Sequence, residues 1–262
     1  MSTSNKELPR GAAFFDIVGT VEAQCSAESL GEIPKLGLST PACFDSLGDV
    51  LSLLYAEASC FHGCSGGDHF YQRITARIVT HSLSSLRLAL LGYYDESFAL
   101  TRNLGEMANL LFLFAARPDL VETWRSADDK ARWKEFRPAK VRRTLDEMGL
   151  RPPIDESRYG LLCEVGVHLV PSVSPQSFNE HGRSTLGARF QYEGLMCALN
   201  ELGVAVAECA GCVSVFPHVA DRRESLQTAA QVLLNVVGRL DLRVAHDNRN
   251  HDTSQITAQD DV

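Results

Sequence analysis

What the sequence lacks narrows its class first. No window approaches the roughly 18 uninterrupted apolar residues of a membrane-spanning helix. The opening MSTSNKELPR has neither the charged start nor the apolar run of a secretory signal, so a cytoplasmic protein is expected. Positive charge is not in excess: 25 Lys and Arg stand against 33 Asp and Glu, a net of −8. That balance excludes a protein that coats nucleic acid or anionic membrane over its whole surface, and it leaves room for a local basic site. No alternating apolar and polar run supports a β-strand. The stretch GYYDESFAL has the flavour of a tetratricopeptide hairpin, but no second copy lies about 34 residues away, so a repeat array is excluded. The glycines of HGCSGGDH could lead to an anion at a helix N-terminus, yet no Gly-Lys-Ser/Thr follows them, which removes a P-loop nucleoside triphosphatase. Cysteine is not scarce. There are eight, and in the cytosol they are expected to be reduced.

What is present reads as all-α. A chain of 262 residues with 45% apolar content can bury one sizeable core. The expected layout is an irregular N-terminal arm over residues 1–41, a helical bundle of seven to eight helices over 42–244, and a disordered polar tail over 245–262. The bundle is organised around Gly92–Pro118. At 100° per residue, Asp95, Arg102, Glu106 and Asn109 fall within an arc of about 60°, while Phe98, Leu104, Leu111 and their neighbours cover the rest. A helix over 69–91, capped by Asp68 and ended by Gly92, precedes it as an antiparallel partner, with Asp95 as the expected cap of the central helix. Further helices are expected over 42–60, 138–148, 155–165, 188–212 and 222–242. The segment between His168 and Ala188 holds too many Pro, Ser and Gly residues for regular structure.

Several constellations have chemical potential. Arg102 and Glu106 lie one turn apart in the reverse of the order that favours a surface pair, so a buried network or a ligand must complete them. In YGLLCEVGVHLVP, Tyr159 and Cys163 share a helical face, and His168 follows the helix end as a candidate proton carrier. Arg73 and Arg77 lie on a basic helix face that either tracks phosphate or is simply solvated. Between Arg125 and Arg143, eight basic residues face three acidic ones, with Trp124, Trp133 and Phe136 interleaved. Lys134, Arg137 and Arg142 in this segment are candidate contacts to single-stranded nucleic acid, or charges on short helices anchored by the tryptophans. Cys60, Cys64 and His69 are zinc-ligand types at close spacing, with Cys209 and Cys212 as the other half of a site. Zinc is therefore a candidate cofactor, against the reading of small buried helical cysteines.

The combination of Arg-x3-Glu (Arg102, Glu106), the Trp-containing basic segment and Tyr-x2-Leu-Cys followed by His (Tyr159, Leu162, Cys163, His168) resembles a family of uncharacterised bacterial all-helical proteins. That family has Tyr-x2-Leu-Ser and then His-Pro; here Cys163 replaces the Ser, and His168 is further from Pro171. The family is similar in outline to the HEPN group, some of whose members are defence or toxin ribonucleases. The resemblance implies RNA or a nucleotide as ligand, with Arg102 on phosphate, Glu106 orienting it, and Tyr159 with His168 handling protons. The Arg-x4–6-His signature of the ribonucleases is met by Arg239 and His246, and Arg77 with His81 falls one residue short of it. The alternative is a non-enzymatic helical scaffold with a protein partner, a second copy of the chain included.

Overall fold

The computed structural model describes residues 9–36, 39–62, 67–168, 176 and 185–237. Among them are ten α-helices and no strand. They are α1 (Ala12–Glu32), α2 (Ser39–Ala58), α3 (Phe70–Leu90), α4 (Tyr94–Ala116), α5 (Asp119–Ser126), α6 (Asp129–Phe136), α7 (Pro138–Glu147), α8 (Glu156–Gly166), α9 (Tyr192–Val213) and α10 (Arg223–Val236). The protein is an all-α bundle. The expected tail, Arg239, His246 and most of the segment after His168 lie outside the described residues.

Local chemistry sets the helix ends. Asp128 and Asp155 accept hydrogen bonds from Ala131 N (2.7 Å) and Arg158 N (2.9 Å), capping α6 and α8. Asp68 takes Phe70 N at 3.0 Å, as its position before α3 suggests. Pro138 opens α7, where its missing N–H is no loss. α4 stops before Pro118, which forces Arg117 out of helical geometry at φ −135°, ψ 76°. At the α3–α4 turn, Gly92 has φ 81°, and a Cβ there would also meet Arg189 O at 2.4 Å. Glycine is required at that position twice over.

α4 and α9 form the centre. α4 packs against α9, α3, α8 and α7, and α9 packs also against α10, α2 and α3. The main core joins Leu47, Leu54, Ile78, Leu104, Phe114, Val206 and Leu233 from five helices. A second cluster surrounds Tyr94 and Phe98 at the start of α4, and a smaller one joins Leu113 to Val141 and Leu145 of α7. α9 is long and apolar enough to cross a membrane, with a mean hydropathy of 1.4, but 78% of that window is buried within the fold. Its apolarity is that of a core helix.

One expectation needs correction and another divides. The described part of the N-terminal arm is not irregular: it is the 21-residue α1. The apolar residues of α1 are spread around the helix rather than gathered into a stripe, so the helical period leaves no trace in the sequence. Only its C-terminal half reaches the bundle, through Cys25 and Ser29, followed by Ile33 and Leu36; the Phe14–Val18 run does not dock, with Phe15 71% exposed. The basic segment takes the short-helix reading: it holds the end of α5, α6 and the start of α7. Trp124 anchors it against Phe70 and Phe114 at ring separations of 6.0 and 5.7 Å.

Candidate functional site

The polar stripe of α4 is the seam on which α8 and its flanking segments dock. At its N-terminal end, the buried Gln176 accepts from Tyr94 N (2.6 Å) and Asp95 N (3.3 Å) and donates to Glu96 (2.7 Å). Asp95 accepts from Gln176 N at 2.8 Å, so the expected cap residue is inside the helix and the cap comes from a distant loop. One turn on, Gly166 lets α8 touch α4: a Cβ there would lie 2.7 Å from both Asp95 O and Ala99 N. At the other end, Asn109 exchanges two hydrogen bonds with the backbone of Ile154, at 2.8 and 2.9 Å. Gly105 admits the Ile154 side chain, whose Cγ1 would lie 2.9 Å from an added Cβ.

Between these ends lies the network that the sequence marked. Arg102 donates from Nε to Cys163 Sγ (3.0 Å), from Nη1 to Asn103 Oδ1 (3.1 Å), and from Nη2 to the Tyr159 hydroxyl. Nη2 also lies 2.7 Å from Glu106 Oε1, and Tyr159 donates to that same oxygen at 2.8 Å. Burial disfavours charge on Arg102, yet Cys163, Glu106 and Tyr159 outweigh it and hold the guanidinium charged. Burial and donation to Glu106 push the Tyr159 phenol up to about 12. Arg102, Glu106 and Tyr159 are therefore brought together as expected, with Cys163 as a fourth member. His168 is not part of this group. It is exposed just beyond α8, its backbone N–H on Cys163 O at 2.9 Å.

Glu106 and Asn103 also form the floor of a cleft of about 370 Å³. Arg77 and His81 of α3 form one wall, and Phe136, Pro138 and Val141 the other. That size suits a small ligand or part of a larger one. Glu106 is the single carboxylate in the lining. Burial, then the nearby Arg77 guanidinium, lowers the His81 pKa and favours its neutral ring. Arg77 and His81 are four residues apart on α3, so they share a face. Neither was singled out with Glu106 in the sequence, because only the α3–α4 packing brings them together.

Arg142 departs from its expected role. It is 7% exposed, not a surface contact, and its guanidinium carbon lies 4.2 Å from the centroid of the Tyr159 ring. Its Nη1 is buried without a hydrogen-bond partner among the described residues. The Arg102 guanidinium lies 4.8 Å from the same centroid. Three guanidiniums, those of Arg77, Arg102 and Arg142, thus surround a cleft and network that hold one carboxylate. The other basic candidates are exposed: Arg73 donates to Asp68 O (2.8 Å), Lys134 lies 3.6 Å from Glu135, and Arg137 precedes α7 without a side-chain bond to its end.

The zinc expectation divides. Cys60 Sγ and His69 Nδ1 are 3.6 Å apart, and Cys64 lies outside the described residues. Cys209 and Cys212 do not supply the other half. Their thiols turn onto Leu104 O and Ala108 O of α4, at 3.4 and 3.6 Å, and burial pushes the Cys212 thiol up to about 12. Among the described residues no cluster of three ligand-type side chains is suited to a metal ion.

No protein-family model, curated protein or solved structure matches the chain.

Proposed function

We propose that the α3–α4–α7 cleft engages a phosphate-bearing ligand, RNA or a nucleotide, in a cytoplasmic setting. The observation that carries this reading is the unbalanced positive charge. Arg77 faces the cleft with no carboxylate partner among the described residues, and Arg142, next to the lining residue Val141, is buried over the Tyr159 ring without one. A buried guanidinium without a counter-charge is costly, and an anion offsets that cost. Cys25, Cys43, Cys163, Cys209 and Cys212 are buried free thiols, in keeping with a reducing compartment.

The roles differ from those implied by the resemblance. Arg102 is committed to four internal partners and acts as a positioning residue for Glu106 and Tyr159, while Arg77 takes the phosphate. His81, held neutral, replaces His168 as the proton carrier. In RNA cleavage of the defence or toxin type, His81 accepts the 2′-hydroxyl proton as that oxygen bonds to phosphorus. The bond from phosphorus to the 5′ oxygen breaks, and the leaving oxygen takes a proton from water. Arg77 stabilises the charge on the non-bridging oxygens.

The closed Arg102–Glu106–Tyr159–Cys163 network also supports a second reading, a non-enzymatic scaffold in which these groups only join α4 to α8. Labelled RNA incubated with the parent, Arg77→Ala and His81→Ala separates the two. Cleavage by the parent that both variants lose supports the first reading. Absence of both cleavage and salt-sensitive binding sinks it and leaves the scaffold.

A further inference from the structure

The two tryptophans of the basic segment have opposite fates. Trp124 is packed between Phe70 and Phe114, with Arg132 over its ring at 5.6 Å. Trp133, on the next helix, is 68% exposed. α6 already has its anchor in Phe136, which packs against Phe114 at a ring separation of 6.3 Å, so the outward indole has no part in holding the helix. Lys130, Trp133, Lys134 and Arg137 are spaced i, i+3, i+4 and i+7 and fall within an arc of about 100°. All four are exposed, and neither Lys130 nor Arg137 has an ion-pair partner among the described residues. Of the acidic neighbours, Asp129 pairs with Arg132 at 2.9 Å, off this face, while Glu135 lies 3.6 Å from Lys134 of the face itself.

This face adjoins the cleft. Arg137 lies between Phe136 and Pro138, both of which line the cleft wall. An eight-residue helix is about 12 Å long, which matches the rise of about three stacked bases. Cations flanking a solvent-facing aromatic ring are the elements with which proteins hold single strands without reading sequence.

Resting on the phosphate reading of the cleft, we propose that the outer face of α6 is a second subsite. It stacks a base on Trp133 and follows the backbone with Lys130, Lys134 and Arg137, so the favoured ligand is a single-stranded polynucleotide. The test is fluorescence anisotropy or titration with two probes, AMP and a single-stranded oligoadenylate long enough to cross α6. The parent binds the oligoadenylate more tightly than AMP. Trp133→Ala weakens the oligoadenylate about 5- to 150-fold and leaves AMP unchanged, and Trp133→Phe recovers part of the loss. Because Trp133 faces solvent, these variants keep the parent's melting temperature. AMP binding that depends on Arg77, with oligoadenylate affinity unaffected by Trp133→Ala, overturns the subsite alone. Equal displacement of the oligoadenylate by polyglutamate also overturns it, showing a surface for any polyanion. Binding of neither probe overturns both the subsite and the cleft reading.

Discussion

Replacing Arg102 with alanine tests whether the α4–α8 network holds the fold together. The side chain is 20% exposed and joins Glu106, Tyr159, Cys163 and Asn103. Its loss leaves the Glu106 carboxylate, 27% exposed, with Tyr159 as its remaining partner in the network. One hydrogen bond to a charged group is worth about 1.5–3 kcal/mol, and partial exposure reduces it. The ring contact with Tyr159 adds about 0.5–1 kcal/mol. A net destabilisation of about 2–3 kcal/mol follows. With a urea m-value of about 3 kcal/mol/M, the unfolding midpoint falls by about 0.7–1 M. Arg77→Ala is the matched control, since an exposed cation without an ion pair changes stability by no more than about 0.5 kcal/mol. Equal midpoints for Arg102→Ala and the parent would refute the reasoning, because the guanidinium would then not be a structural tie.

Two further perturbations test other parts of the fold. Gly166→Ala sets a Cβ against the α4 backbone, which cannot yield, so α8 must shift at a cost of about 1–3 kcal/mol and a lower melting temperature. Gly160→Ala on the same helix meets nothing within 4 Å and should stabilise by about 0.5–1 kcal/mol; a loss at both positions would contradict the close-contact argument. For pH, burial lowers the His218 and His81 pKa values below 6.5. The unfolded chain then binds more protons below about pH 6.5, so stability is full above it and declines as pH falls toward the folded values. Urea midpoints measured across that range should slope less in a His218→Gln/His81→Gln variant, and an unchanged slope would rule these groups out.

How far the sequence speaks depends on whether a signal is local. The α4 stripe was legible because Asp95, Arg102, Glu106 and Asn109 recur on one side at 100° per residue, and Asp128, Asp155 and Pro138 mark helix starts by short-range chemistry. The partner of the stripe was not legible, because Tyr159 and Gln176 reach it only after the chain has folded back. Arg142 looked like its basic neighbours, since burial over a tyrosine ring leaves no mark in spacing. Cys209 and Cys212 had ligand spacing, yet three residues apart on a helix also points both thiols at one neighbouring backbone. Arg77 and His81 were noticed as a near miss to the Arg-x4–6-His signature, but not as a site, because their cleft mate Glu106 lies on another helix.

The cap that Gln176 places on α4 has a consequence for biosynthesis. α3 and α4 leave the ribosome as a hairpin joined by a glycine turn, although α4 finds its most extensive packing later, on α9. The second helix of the hairpin emerges with the amides of Tyr94 and Asp95 still facing water. They are closed by a side chain made 82 and 81 residues later, after α8 has been laid along the stripe. The central hairpin is thus sealed by a residue made after α8, and any truncation before residue 176 leaves the central helix open at its leading end.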